Sequence, residues 1–206
     1  MNAILLNQIK KIKSLAEAGL VYNKENYDAE RYEELRHIAL EMMAMLSQTP
    51  VEKLQNFFIP ETDYPTPKVD VRGYVLNEKN EFLMVKESVD GGWTLPGGWA
   101  DIGLTPVENV VKEMQEESGL NVTVKRLLAV FDKKCYPEHP PQTHYVYKLI
   151  FHCERTSGDF DPNFDIQDVA WFSLDNLPKL SPDRVVKKQL EILYDIAVNN
   201  ASPHFE

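Results

Sequence analysis

Three glutamates, Glu113, Glu116 and Glu117, stand at i, i+3 and i+4 and converge within one turn of any helix that carries them. Gly119 follows closely as a stop signal, so the acids lie near the negative end of the helix dipole, where each loses about 0.3 to 1 kcal/mol. The cluster is at ease only with positive charge beside it. Hard divalent cations such as magnesium or manganese take oxygen ligands and keep waters and substrate phosphates in their shell, which is the chemistry three such carboxylates can support. The competing reading is a solvated acidic helix face.

The elements that must position these acids are also legible. Thr105 can cap a helix, Pro106 fits its first position, and Glu108 stands three residues after the cap to close a capping box. Val107, Val110, Val111 and Met114 form an apolar stripe, and Gly119 supplies a left-handed end. Upstream, Leu95-Pro96-Gly97-Gly98 places two glycines where the backbone can turn tightly and approach a metal or phosphate.

The stretch GGWADIGLTPVENVVKEMQEESGL resembles the Nudix box, G-x5-E-x7-R-E-U-x-E-E-x-G-U with U a bulky aliphatic residue. Gly98, Glu113, Met114, Glu116, Glu117, Gly119 and Leu120 match it, while Leu104 and Lys112 stand where the family has glutamate and arginine. In the family those two side chains commonly pair to brace loop against helix, so this chain lacks the usual brace and Leu104 can neither bind metal nor act as a base. The resemblance implies that Glu113, Glu116 and Glu117, with the carbonyl of Gly97, hold magnesium or manganese, and that these glutamates are catalytic.

At 206 residues and 43% hydrophobic, the chain has room for one domain plus an appendage. Its net charge of −10 argues against general binding to nucleic acid or anionic membrane, so an anionic substrate must be met by metal and local Lys or Arg. No stretch reaches the roughly 18 apolar residues of a membrane span, and the first residues lack signal-peptide order, which makes the cytoplasm the expected location. Cys135 and Cys153 fall too far apart on one hairpin to bridge, and are expected as free thiols.

Residues 1–60 read as a small all-α segment. Leu5, Ile9, Ile12, Ala16 and Leu20 mark one helix. A second runs from an Asp28 cap with Tyr32, Leu35, Ile38, Ala39, Met42, Met43 and Leu46 on its apolar face, and a short third opens at Thr49-Pro50. The segment is too small to be sure of folding alone, so homodimerisation through these helices is expected. Residues 61–67 read as a linker and 68–206 as the second domain. There Val69, Val71 and Val75 alternate with Asp70, Arg72 and Tyr74, predicting a half-buried strand paired in a hairpin with residues 82–85. Long strands are predicted from Val122 and from Tyr145, another over Asp168–Ser173, and a last helix from Ser181-Pro182.

This interleaving suggests an α/β sandwich, a mixed sheet between helices, which is the Nudix organisation. Nearly the whole chain, including PKVDVRG and FDKKCYPEHPPQTHYVYKL, is similar to a bacterial Nudix branch of CDP-choline and ADP-ribose pyrophosphatases with an N-terminal helical dimerisation segment. The resemblance implies hydrolysis of the pyrophosphate bond in a nucleoside diphosphate linked to another moiety. NADH, a sugar nucleotide or an RNA end are alternative substrates, and a nucleotide sensor that binds without cutting is the alternative class. Arg72 suits phosphate oxygens, Lys133 and Lys134 could reach an anion, and Trp99, Tyr145, Trp93 and Tyr147 are candidates to stack on a base. The general base stays open among the box glutamates, Glu154, Asp165 and Asp168.

Overall fold

The computed structural model describes residues 3–23, 26–57, 64–140, 142 and 144–206. They cluster into two compact units, one of residues 1–67 with 141–144, the other of residues 68–140 with 145–206.

In the first unit α1 (Ala3–Tyr22), α2 (Asn26–Ser47) and the short α3 (Val51–Phe57) pack through Leu6, Ile9, Ala39, Leu40, Met43, Ala44 and Leu54. The buried face of α2 is turned from the predicted one: Leu35 and Ile38 are 44% and 41% exposed, and Asp28 lies inside the first turn rather than capping it. One face of α2 is consumed by α1, and the exposed apolar residues include Leu15 of α1 and Met45 of α2. The end of the third predicted helix and residues 61–63 of the predicted linker lie outside the described residues.

The second unit holds two sheets. One has the order β4-β1-β6-β5-β8, built from β1 (Lys68–Val75), β4 (Gly97–Trp99), β5 (Asn121–Asp132), β6 (Val146–Ser157) and β8 (His204–Phe205). The other has the order β3-β2-β7, from β2 (Phe82–Glu87), β3 (Trp93–Thr94) and β7 (Ile166–Phe172). Helices α4 (Pro106–Ser118) and α5 (Lys187–Val198) complete the unit. A small all-α segment followed by a mixed-sheet α/β fold is what the patterning predicted.

Two expectations are corrected. The predicted hairpin of β1 with β2 survives only as an isolated bridge between Leu76 and Phe82, after which the strands part into different sheets. β1 instead runs parallel to β6 and antiparallel to β4, and both of its faces are covered. Val71, Gly73 and Val75 meet Val110 and Met114 of α4, whereas Tyr74 enters the core with Leu190, Leu193 and Ile196 of α5. The alternation of β1 therefore separates two interiors rather than core from water, and Asp70 and Arg72 are buried. The last helix begins at Lys187, not at Ser181, because the Ser181 hydroxyl bonds Asp90 and the carbonyls that follow are held by side chains of the β5–β6 hairpin.

Both cysteines are free thiols. Cys153 faces Val124, two residues from Arg126, the position that the register at Asp132 and Tyr147 would give, since two bulges in β5 shift the pairing between there and the cysteine.

Candidate metal and substrate site

The box helix starts as its residues dictate. Thr105 accepts from the Glu108 amide at 3.2 Å while the Glu108 carboxylate accepts from the Thr105 amide at 2.8 Å, and Gly119 ends the helix at φ 77°. Its buried side is Asn109, Val110, Met114 and Ser118, and Val107 is 46% exposed, so the apolar stripe is narrower than predicted. Gly73 permits the close approach of α4, since a Cβ there would sit 2.3 Å from the Met114 sulfur.

Asn109 is a residue that pattern reading missed. Its Oδ1 accepts from the Asp101 amide at 2.8 Å, and its Nδ2 donates to the carbonyls of Asp101, Leu104 and Thr105 at 3.2 to 3.4 Å. A buried asparagine beside an apolar stripe must satisfy three or four hydrogen bonds, and here it fastens the preceding loop to the helix. Lys112 adds an exposed tie, 3.0 Å from Asp101 and 3.3 Å from Glu116, so Asp101 serves as its partner where Leu104 has no charge.

The three glutamates share a helix face but their carboxylates do not converge. Glu116 turns outward to Lys112, and Glu117 accepts from the Gly97 amide at 2.7 Å. Glu113 lies against Gly98, where a Cβ would come within 3.4 Å of all three atoms of its carboxylate. Among the described residues no three His, Cys, Asp or Glu side chains are gathered as a metal site. Mutual repulsion accounts for the spread.

Glu113 and Glu117 nevertheless have the electrostatics of cation ligands. Burial pushes the Glu117 carboxyl up to about 7, against the lowering influence of Arg72 and the Gly97 amide. Burial also raises Glu113, with Glu116 and Asp101 adding to it. Neither forms an ion pair among the described residues, so a half-buried pair of oxygen donors beside a glycine loop fits a hard divalent cation. Gly97, expected to offer its carbonyl, is held at φ 135° opposite Arg72 and contributes its N–H to Glu117.

The predicted substrate residues divide. Trp99 is 53% exposed with the Lys68 ammonium 5.9 Å from its ring centroid, and half-buried Tyr145 enters β6, its carbonyl accepting from the Lys68 amide. Arg72 does not stand on a polar face: Nε and Nη2 each bond Asp70 at 2.9 Å and Nη1 bonds the Leu95 carbonyl. Burial opposes the charge on Arg72, but Asp70 outweighs it and raises the pKa. Lys133 is likewise buried, donating to the Asp183 carbonyl, with burial lowering its pKa to about 8. The acceptors that fold onto these two cations come from elsewhere in the chain or two residues along the strand, and a sequence displays the charge but not that burial. Lys134 pairs with Asp132, Trp93 packs edge-on against Phe172, and buried His139 bonds the Pro182 carbonyl.

Of the outlying acids, Glu154 pairs with Lys125 at 2.6 Å and Asp168 lies opposite Lys86 on β7. Asp165 lies beside the end of β2: its carbonyl accepts from the Ser88 amide, and its charge adds to the raising of the Glu87 carboxyl.

Residues 66–195 match the Nudix domain profile. The chain belongs to the Nudix family. Residues 4–58 match a UDP-X-like N-terminal oligomerisation domain that accompanies it. This Nudix chain is 45% identical over 190 residues to YjhB of Bacillus subtilis (strain 168), provisionally named an ADP-ribose pyrophosphatase, covering 92% of this chain and 90% of that one. It is 35% identical over 123 residues to the ADP-ribose pyrophosphatase of Methanocaldococcus jannaschii, covering 58% of this chain and 70% of the relative. Among solved structures it is similar to a UDP-X diphosphatase, at 32% identity and a TM-score of 0.66 over 98% of both chains. An ADP-ribose pyrophosphatase from Streptococcus suis 89-1591 aligns with 68% of this chain and all of its own at 35% identity and a TM-score of 0.61. The protein is a Nudix pyrophosphohydrolase. Among the described residues no helix is long and apolar enough to cross a membrane.

Proposed function

We propose that this Nudix enzyme hydrolyses the pyrophosphate bond of a nucleoside diphosphate linked to a second moiety, with ADP-ribose the first substrate to test and CDP-choline the next, releasing a nucleoside monophosphate. The observation that supports this reading is the half-buried pair Glu113 and Glu117 beside the Gly97-Gly98 loop, raised in pKa and forming no ion pair among the described residues. Magnesium or manganese bound by Glu113, Glu116, Glu117 and the Gly97 carbonyl would neutralise phosphate charge and ease deprotonation of water. Only one oxygen of each is engaged, Glu116 Oε2 by Lys112 and Glu117 Oε2 by the Gly97 amide, so the other oxygen would be free to meet the ion. Trp99 and Tyr145 would flank the base, and Asp165 is the general base we favour among the outlying acids. Arg72 would act through Asp70 and Leu95 as a brace, and Lys133 through the Asp183 carbonyl. The relatives named for ADP-ribose support that choice; the full-length likeness to a UDP-X diphosphatase favours a uridine nucleotide as the second reading.

The exposed apolar residues of α1 and α2, among them Leu15, Leu35, Ile38 and Met45, would be covered in a homodimer in the cytoplasm. A dinucleotide panel titrated with manganese and followed by phosphorus NMR in oxygen-18 water tests the reading. Release of AMP from ADP-ribose supports it, whereas saturable binding with no monophosphate from any member would leave a sensor.

A further inference from the structure

A substrate with two phosphates needs a cation whose donors are not all engaged by the fold. Arg72, Lys133 and Lys148 are 5%, 8% and 3% exposed, and each is bonded to protein acceptors. Arg184 differs. Its side chain is 25% exposed and lines one cavity with Arg72 and Lys148, with Nε 2.6 Å from the Glu87 carboxylate. Nη1 lies 3.2 Å from the Ser181 hydroxyl and 3.7 Å from Asp90. Nη2 has no hydrogen-bond partner among the described residues. Arg184 and Arg72 line the same cavity, and Arg72 stands opposite Gly97, whose amide donates to Glu117 of the box helix.

The backbone around Arg184 is held with unusual care. Three consecutive carbonyls are gripped by three side chains from the β5–β6 hairpin: Pro182 by His139 Nδ1 at 2.6 Å, Asp183 by Lys133, and Arg184 by Lys148 at 2.5 Å. Burying two ammonium groups is costly, and burial lowers Lys148 to about 7. At the other side, the Ser181 hydroxyl donates to Asp90 at 2.7 Å and the Ser181 amide to the Trp93 carbonyl. A merely solvated arginine needs no such platform. A guanidinium that must meet an anion in one geometry does.

We propose that Arg184 is a substrate ligand, taking the phosphate that lies farther from the box glutamates. The inference rests on the hydrolase reading above and adds to it a specificity-determining residue. A neutral side chain at 184 should lower affinity for the diphosphate without altering the metal requirement, and lysine should recover only part of the loss, because it offers a point charge in place of a fork.

The test uses the full chain with manganese and ADP-ribose, and in parallel the equilibrium binding of non-hydrolysable α,β-methylene ADP-ribose. For Arg184→Met we expect KM to rise about 10- to 100-fold, the size of a lost charge-assisted hydrogen bond, with kcat changed less than about threefold. Arg184→Lys should fall between. The double variant Glu87→Gln, Arg184→Met removes the carboxylate that the single change strands, and should keep the raised KM. A wild-type KM in Arg184→Met, or its return to wild type in the double variant, overturns the proposal. In the second case Arg184 would only neutralise Glu87. Should wild type release no monophosphate at all, the hydrolase reading fails separately: weakened analogue binding by Arg184→Met would still uphold the ligand, and equal binding would sink it.

Discussion

Two charged regions flank the loop of this Nudix domain, and they are buried to opposite effect. Behind β1, on the α5 side, Asp70 pairs with Arg72 through both carboxylate oxygens and lies 3.5 Å from Lys148, its register partner on β6. Burial would raise the pKa of Asp70, yet Arg72 and Lys148 hold it below the ordinary carboxylate range. On the box helix, Glu113 and Glu117 are also drawn from water, but with no cation in contact their carboxyls rise instead. Burial of charge is common to both regions. What distinguishes scaffold from site is whether the fold itself supplies the opposite charge.

The sharpest way to break that comparison is Asp70→Asn. If the α5-side cluster is scaffold, the change strands Arg72 and Lys148 in the interior and should cost about 3 to 5 kcal/mol in urea unfolding, the range for breaking a buried pair. A loss below about 1 kcal/mol would mean that this cluster is no better satisfied than the helix acids, and the distinction would fall.

The helix acids should behave with the opposite sign. Glu117 has a folded pKa of about 7 against the ordinary 4.5, so the native state binds its proton more tightly than the unfolded chain. Its contribution is fully present below pH 4.5 and is lost as pH rises through 7. In chelator, Glu117→Gln should therefore be more stable than wild type at pH 8 by about 1 to 3 kcal/mol and nearly equal to it at pH 4, while turnover with manganese is abolished. Taking the difference between the two proteins cancels the reverse trend of Lys148, whose lowered pKa gives stability that grows as pH rises above 7. An unchanged or negative difference at pH 8 would show that Glu117 is already satisfied by the Gly97 amide.

The same contrast explains what could be read in the sequence. The box helix was legible because its cap, its box glutamate and its glycine stop are neighbours in the chain, and each satisfies a backbone group within one turn. The acid trio was legible for the same reason. The α5-side cluster was not, although Asp70 and Arg72 stand two apart and so share a strand face: their burial depends on Lys148 and on the segment before α5, brought in from far along the chain. Ser181 looked like a helix start because its hydroxyl could cap one, whereas its partner Asp90 lies 91 residues away. Asn109 was invisible because a polar residue flanking an apolar stripe reads as surface until the loop it fastens is seen.

Lys112 offers the smallest and most discriminating test, because it touches both an acid of the loop and an acid of the proposed cation set. It is exposed, like its partners Asp101 and Glu116, so its loss should leave the denaturation midpoint unmoved within error. Its effect belongs to the site instead. Lys112 offsets the charge of Glu116, so a divalent ion held there would meet its repulsion. Lys112→Ala should lower the manganese concentration for half-maximal activity about twofold to fivefold, the scale of one screened charge pair. Were Lys112 chiefly a brace between Asp101 and the helix, removing it would raise that concentration or lower kcat at saturating metal. Raising the salt concentration separates the cases further: a competing charge fades with screening, so the two proteins should converge at high ionic strength, while a lost brace persists.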